Sequence, residues 1–237
     1  MNAMQRTAKV AGVLFILATA AGLAGTGVLG SALEAPDFLS QVSGQGNRVL
    51  VSALLSFVAA CGSAGIAIAL YPVLRKFNEG LALGSVGFRL IEAVLYMVGT
   101  LCLLSIFALS QEFAGASGSE ASYAGTLGRL LLTAKDLAGF VLGVMAFCIG
   151  GGLYYVVFYQ TRLIPRWLSV WGLIALVLLF SAVLITLFDG APYSVSGNLV
   201  FLASPIALQE MVLAVWLIAK GFDLEVGSAG KITASSQ

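Results

Sequence analysis

The residues with the clearest chemical potential are charged side chains that lie inside long apolar segments. Arg89 and Glu92 lie three positions apart in one such segment, and Tyr96 follows four positions later. Residues three and four positions apart share one face of a helix, so these three side chains point in one direction. Glu210 lies in the middle of another apolar segment, directly after Gln209. A charge at the centre of a bilayer costs several kcal/mol unless it is paired, neutralised or hydrated, which predicts that these residues face a protein interior.

A second group of charged residues lies in the outer half of a third apolar segment. Lys135 and Asp136 are adjacent, and Arg129 lies about two helical turns before Asp136. Asp136 shares its helical face with Arg129 and with two glycines, a composition that is typical of helix-packing surfaces in membranes. The two groups together contain three cations and three acids. We expect all six to face the interior of a helix bundle.

Three functions are compatible with such charges. In the first, they form interior ion pairs that only orient the helices, for example with Arg89 between Glu92 and Glu210. In the second, they line a polar cavity, where a carboxylate exchanges protons and the neighbouring arginine holds an anionic group, as in proton-coupled transport. In the third, two buried carboxylates act as general acid and base on a lipid-borne substrate. The third has the least support, because the chain has no histidine that would activate a nucleophile.

The composition restricts the class of protein. Of 237 residues, 59% are hydrophobic and only 10% are charged, whereas about 25% are charged in a typical soluble domain. The net charge of +1 leaves no extensive basic surface, so nucleic acid is not expected as a partner. Histidine is absent, and the three cysteines lie in three separate apolar segments without a CxxC motif. No metal site and no cofactor is therefore expected.

Six apolar segments are long enough to cross a bilayer, for which a helix needs about 20 mostly apolar residues. They comprise residues 10–29, 49–71, 83–109, 130–155, 168–188 and 199–219. Arg6 and Lys9 precede the first segment, as in a secretory signal peptide, but its apolar part is longer than a signal sequence requires. We therefore expect it to remain as a spanning helix, whereas cleavage would leave five spans. The predicted fold is an all-α integral membrane protein, a six-transmembrane-helix bundle that forms a single domain over residues 1–222.

Lysine and arginine are enriched in cytoplasmic loops, so their distribution predicts the orientation of the chain. With the N-terminus in the cytoplasm, eight of these residues fall on the cytoplasmic side: Arg6, Lys9, Arg75, Lys76, Arg162, Arg166, Lys220 and Lys231. The opposite loops contain mainly acidic residues. We therefore predict a multi-pass protein of the plasma membrane with both termini in the cytoplasm, and residues 223–237 as a disordered cytoplasmic tail.

Two further patterns bear on the arrangement of the spans. Aromatic residues cluster around the turn between the fourth and fifth segments, where an interfacial aromatic belt is expected: Tyr154, Tyr155, Tyr159, Trp167 and Trp171. A short pattern, L-x-E-x-V-L, occurs at residues 90–95 and again at 208–213. It is compatible with a three-plus-three inverted repeat, an arrangement found in transporters, although short matches also arise by chance in apolar sequence.

Several segments resemble the family named domain of unknown function 4386. They are LALG at residues 81–84, GFRLIEAV at 87–94, RWLSVWGL at 166–173 and LQEMVLAVWLI at 208–218, and the likeness extends from the first span to Phe222. The resemblance implies a compact, mostly bacterial, multi-pass membrane protein, and it implies no activity, substrate or site. Lys135 departs from the family pattern, in which an arginine is expected before the aspartate. The charge is kept, but a lysine does not form the bidentate pair that arginine forms.

We therefore expect a small carrier or binding protein for a small or amphiphilic ligand, with proton-sensitive intramembrane carboxylates. The alternatives are a structural or regulatory membrane subunit whose buried charges only fix helix packing, and an intramembrane enzyme that uses a carboxylate pair. The expected partners are the lipid bilayer and a small or amphiphilic ligand, whose identity the sequence leaves open together with the oligomeric state. No catalytic and no metal-binding residue is assigned. The candidate ligand- or proton-binding residues are Arg89, Glu92, Tyr96, Asp136, Gln209 and Glu210, with Arg129 and Lys135 as secondary candidates.

Overall fold

The computed structural model describes residues 3–115, 117–190 and 200–223. Within these ranges the chain forms eight α-helices and one π-helical segment, and no strand: α1 (Ala3–Leu29), α2 (Phe38–Ser43), α3 (Gly46–Leu74), α4 (Glu79–Glu112), α5 (Ser119–Asp136), the π-helical segment (Leu137–Gly143), α6 (Val144–Thr161), α7 (Arg166–Asp189) and α8 (Val200–Ala219). The predicted disordered tail lies outside the described residues, apart from Asp223.

Among the described residues, six helices are long and apolar enough to cross a membrane, which confirms the predicted all-α fold and its six spans. The helices α1, α3, α4, α7 and α8 each form one span, and α5, the π-helical segment and α6 together form another over Ser119–Thr161. Their helical form follows from the solvent. A bilayer offers no hydrogen-bond partner to backbone N–H and C=O groups, and a helix satisfies them within one segment.

Large apolar side chains are exposed along the outside of the bundle. Leu54, Leu101 and Val177 are 66%, 64% and 66% exposed, and they belong to three different spans, α3, α4 and α7. Monomeric soluble proteins rarely expose extended apolar patches. The outer surface is therefore suited to contact with lipid, in agreement with a multi-pass membrane protein.

Glycines allow the spans to approach one another closely. The helix α1 packs against both α3 and α8. A Cβ atom at Gly62 of α3 would lie 2.9 Å from the Cβ of Ala18, and one at Gly12 would lie 2.8 Å from the carbonyl oxygen of Ala214 in α8. Lipid provides no hydrophobic force between helices, so close backbone contact of this kind stabilises the bundle.

Two residues of the predicted aromatic belt lie in the core instead of at the interface. Tyr154 and Tyr155 are fully buried within the main apolar cluster, so the prediction is wrong for them. They lie six and seven residues before α6 ends at Thr161, which is about 10 Å inside the end of the helix. Tyr159 and Trp167 are 40% and 54% exposed, as an interfacial position requires.

The π-helical segment Leu137–Gly143 interrupts the fourth span, and the sequence periodicity does not predict it. This segment packs against α4. A Cβ atom at Gly143 would lie 2.8 Å from the ring of Tyr96, and one at Gly99 would lie 3.5 Å from the Cα of Gly139. The segment therefore packs closely against α4, the helix that contains Arg89 and Glu92. Single π-helical turns within α-helices occur frequently at functional sites.

Candidate functional site

Three charged side chains from α4 and α8 meet inside the bundle. Nη1 of Arg89 lies 2.9 Å from Oε2 of Glu92, and Nη2 of Arg89 lies 3.9 Å from Oε1 of Glu210. Arg89 and Glu92 are each 1% exposed and Glu210 is 7% exposed. Arg89 thus lies between the two carboxylates, which confirms the arrangement expected from the sequence. We call Arg89, Glu92 and Glu210 the charged centre.

Two hydroxyl groups from other helices hold the carboxylates in place. The hydroxyl of Ser63 in α3 donates to Oε1 of Glu92 at 2.7 Å, and the hydroxyl of Thr19 in α1 donates to Oε2 of Glu210 at 3.1 Å. Hydrogen bonds to an ionised acceptor are stronger than those between neutral groups. The charged centre consequently links four spans, α1, α3, α4 and α8.

Aromatic rings from a fifth span, α6, cover the arginine. The guanidinium carbon of Arg89 lies 4.6 Å from the ring centroid of Phe147 and 5.7 Å from that of Tyr154. The negative face of an aromatic ring attracts a cation at such distances, and more so where water is excluded. The backbone of the same helix also lies close, because a Cβ atom at Gly150 would be 3.1 Å from the Arg89 side chain.

Two polar atoms of the charged centre lack hydrogen bonds. Nε of Arg89 and Oε1 of Glu210 are buried without a hydrogen-bond partner. The 3.9 Å between Oε1 of Glu210 and Nη2 of Arg89 is an electrostatic contact and too long for a hydrogen bond. Glu92, by contrast, is bonded at both oxygens. Glu210 is therefore the less satisfied of the two carboxylates, and a buried group in this condition requires a physical explanation.

Gln209 lies beside the charged centre but bonds to different groups. Its side-chain oxygen accepts a short hydrogen bond from the hydroxyl of Tyr155, and its Nε2 donates to the carbonyl oxygen of Leu168 at 3.0 Å. Gln209 and Tyr155 are both 0% exposed. The amide therefore connects α8 to α6 and to the first turn of α7, which is a helix-packing contact rather than a contact with Arg89.

Tyr96 lies on the α4 face that contains the charged centre. Its half-buried ring packs against Gly143 of the π-helical segment. Tyr96 thus lies four residues after Glu92, with its ring at the contact between α4 and the π-helical segment.

The second group of predicted charges does not join the charged centre. Nζ of Lys135 lies 2.6 Å from Oδ1 of Asp136, and their side chains are 26% and 17% exposed. Arg129 is exposed, so the expectation that it faces the interior is wrong. It lies ten residues after α5 begins at Ser119, about 15 Å along the helix. From that position a long arginine side chain can extend toward water while its stem covers apolar surface.

Sequence reasoning missed the partners of the carboxylates. Nothing in the sequence distinguishes Thr19, and Ser63 lies in a small-residue segment that indicates packing. Phe147 is one of many apolar residues in its span. The sequence gives only a weak indication of such partners. A hydroxyl within an apolar span needs a hydrogen-bond acceptor, either in its own helix or in a neighbouring one. Only the packing of the helices shows which acceptor that is.

The chemistry that this site supports is the binding of a charge or a proton. The described residues contain no group of three or more histidine, cysteine or acidic residues that would hold a metal ion. Two pockets lie near the C-terminal end of α8, and neither is lined by a residue of the charged centre. In the arrangement described, the charged centre is enclosed by side chains.

A family model described as Domain of unknown function (DUF4386) matches residues 10–221. This range includes the whole charged centre and most of every span, and the match confirms the resemblance seen in the sequence. No curated protein and no solved structure matches the chain significantly.

Proposed function

The chain belongs to the family described as domain of unknown function DUF4386, and we propose that it is a small membrane carrier or binding protein whose charged centre takes up and releases one proton. The observation that supports this proposal is the state of Glu210. Its Oε1 is buried, has no hydrogen bond, and lies 3.9 Å from Arg89. A proton on this oxygen would give the group a hydrogen-bond donor and remove its charge.

The charge balance of the site supports the same proposal. One guanidinium and two carboxylates carry a net charge of −1 when all three are ionised. Residues of the charged centre are at most 7% exposed, and an uncompensated charge in such a place is strongly unfavourable. One bound proton makes the site neutral. Glu92 is already bonded to Arg89 and Ser63, so Glu210 is the carboxylate that we expect to exchange the proton.

Exchange of this proton would alter the contact between two spans. Arg89 belongs to α4 and Glu210 to α8, and their 3.9 Å contact is electrostatic. Protonation of Glu210 weakens that attraction, and deprotonation restores it. We propose that the resulting movement of α8 opens the enclosed site to a small or amphiphilic ligand, whose anionic group Arg89 would bind. The helix α8 contains Pro205, which removes one backbone hydrogen bond and makes bending less costly.

The proton site is tested by infrared difference spectroscopy of the protein in lipid films, comparing acidic with alkaline pH. We expect a carboxylic acid C=O band that disappears on alkalinisation and is missing in Glu210→Gln. In Glu92→Gln, the charges of Arg89 and of ionised Glu210 cancel. Glu210 then needs no proton for a neutral site, and the band is also expected to be absent near neutral pH. The matched control is Asp136→Asn, which alters a carboxylate outside the charged centre and should leave the band unchanged.

Transport is tested with the same variants in proteoliposomes that contain a pH-sensitive dye. Small organic anions, organic cations and amphiphiles are added outside, and the internal pH is followed. A substrate that moves with protons should change the internal pH with the native protein and not with Glu210→Gln. If pH-dependent binding and flux are the same in native protein, Glu92→Gln and Glu210→Gln, the carrier proposal fails.

A structural or regulatory subunit is the second candidate, and one observation favours it. The charged centre is enclosed by Phe147, Tyr154 and helix backbone, as a permanent helix contact would be. If the native protein shows no pH-dependent C=O band and Glu210→Gln retains the fold, the charges serve helix packing alone. No observation favours the intramembrane enzyme, because the two pockets described above lie away from the carboxylate pair.

We also propose that both termini lie in the cytoplasm and that the membrane is the plasma membrane. The support is that five cations of the described chain lie at span ends that this topology assigns to one side of the membrane. Arg75 and Lys76 follow α3, Arg162 and Arg166 flank the turn between α6 and α7, and Lys220 follows α8. Such residues are retained on the cytoplasmic side of membrane proteins.

A further inference from the structure

A basic pocket lies at the end of α8, far from the charged centre. It has a volume of about 600 Å³ and is formed by the turn between α6 and α7 together with the chain that follows α8. Its charged lining residues are three cations and one acid: Arg162, Arg166, Lys220 and Asp223. Glu210 and Lys220 are ten residues apart, which is about 15 Å along a helix.

Two of the three cations flank the turn between α6 and α7. Arg162 ends α6 in the left-handed conformation, with φ of 57°, and Arg166 begins α7 three residues after Leu163. The N–H of Asp223 donates to the carbonyl oxygen of Leu163 at 2.9 Å, which fixes the chain after α8 against this turn. The pocket is therefore built from two separate parts of the chain that are bonded to each other.

The electrostatics of the pocket suit a phosphate group. Among the residues that line the pocket, the three cations outnumber the single acid, Asp223. Pro165 precedes the 24-residue helix α7, and the first backbone N–H groups of a helix have no acceptor within it. Those N–H groups and the helix dipole favour an anion at this end. Arginine pairs with phosphate in a bidentate manner, and lysine adds a point charge.

An apolar pocket continues from the basic one along α8. It has a volume of about 410 Å³, and its lining is apolar except for Lys220: Met211, Val212, Val215, Trp216, Ala219 and Lys220. The two pockets share Trp216 and Lys220. A phosphate held by the cations would therefore have apolar surface next to it, on the outside of a membrane-spanning helix.

We propose that these joined pockets bind an anionic phospholipid, with the phosphate among Arg162, Arg166 and Lys220 and an acyl chain along α8. A soluble phosphate ester would use the basic pocket alone and would leave the apolar pocket without a role. The shape and polarity of the pair thus favour a lipid. The indole of Trp216 lies where the two parts meet, as expected for a tryptophan at the level of the headgroups.

The test uses the full chain with Trp167→Phe and Trp171→Phe, so that Trp216 is the remaining tryptophan. The protein is reconstituted in phosphatidylcholine vesicles with increasing fractions of brominated phosphatidylglycerol, which quenches nearby indoles. We expect quenching of Trp216 at lower mole fractions than with brominated phosphatidylcholine. Each cation near an anionic lipid contributes a factor of about five in affinity, so Arg166→Gln with Lys220→Gln should weaken the preference about 25-fold.

The matched control is Arg75→Gln with Lys76→Gln, which removes two exposed cations at the end of α3 that do not line the pocket. This variant should retain the preference of the native protein. Equal loss in both double variants, or no preference for phosphatidylglycerol at all, would overturn the proposal. Unfolding temperatures of both variants establish that they are folded. Native mass spectrometry of the protein with its native tryptophans, using unlabelled lipid, provides a second measurement of lipid binding.

A competition experiment distinguishes a lipid site from a site for a soluble ligand. Glycerophosphoglycerol, the headgroup without acyl chains, and inorganic phosphate are added to the vesicles as competitors. We expect neither to displace brominated phosphatidylglycerol at concentrations 100-fold above that of the lipid. Displacement by either compound would show a soluble phosphate site and would overturn the assignment of a lipid.

Discussion

The buried pair of Arg89 and Glu92 provides the most direct test of how the bundle is held together. The change Arg89→Met removes the only cation of the charged centre and leaves Glu92 and Glu210 facing each other at 1% and 7% exposure. Breaking a buried ion pair by removing one partner costs about 3–5 kcal/mol, because the remaining charge is uncompensated. Met retains the apolar stem and has a high helix propensity, so the loss measures the charge.

The second change, Glu92→Leu, removes the partner as well. In Arg89→Met with Glu92→Leu, no unpaired carboxylate remains at position 92, and the hydroxyl of Ser63 can bond to a carbonyl of its own helix. We therefore expect the double variant to be more stable than the sum of the single losses predicts, by at least about 2 kcal/mol. The measurement is equilibrium unfolding in mixed micelles, followed by circular dichroism.

The pair of Lys135 and Asp136 is the matched control for this cycle. Its atoms are closer, at 2.6 Å, but its side chains are 26% and 17% exposed. Partial access to solvent reduces the coupling to about 0–1 kcal/mol. If Arg89 and Glu92 show a smaller coupling energy than this control, desolvation does not determine the energetics of the charged centre, and our account of it is refuted.

Three further predictions address packing, hydrogen bonding and topology. Gly172→Ala places a Cβ atom 2.7 Å from the ring of Tyr155 and should cost about 1–3 kcal/mol of unfolding free energy, whereas Gly152→Ala meets no atom within 4 Å and should cost nothing. Ser63→Ala removes the 2.7 Å hydrogen bond to Glu92 and should lower the unfolding free energy by about 1.5–3 kcal/mol in the same assay. A loss below about 0.5 kcal/mol, which is the size expected for a surface substitution, would contradict this assignment. Fluorescent reporters fused to the two termini should both show a cytoplasmic location. A reporter inserted between α4 and α5 should show a location on the opposite side of the membrane.

The spans and the charged centre were predictable from the sequence for different reasons. The spans follow from segment length and hydropathy, which are properties of the bilayer as a solvent. Arg89 and Glu92 share a face because of their spacing, and Glu210 had to join them because few other partners for a buried charge exist in the apolar spans. The three-plus-three inverted repeat stays a prediction.

The partners within the site were not predictable, and the cause is the nature of membrane helices. A span that is apolar on every side gives little indication of its rotation about its own axis. Thr19 and Ser63 are placed by that rotation, and so is the contact of Gln209 with Tyr155. The π-helical segment was not predictable either, since no periodicity in the sequence marks it, and in the structure it packs against Tyr96.

The number of carboxylates in the charged centre bears on the proposed exchange of a proton. Arg89 and Glu92 already form a neutral pair at 2.9 Å, and this pair alone would orient α4 within the bundle. Glu210 adds a second negative charge, one oxygen of which has no hydrogen bond, and it therefore makes a purely structural pair less stable. An apolar residue at position 210 would pack against Arg89 without that cost. The third ionisable group therefore supports the proposal that the charged centre binds and releases a proton.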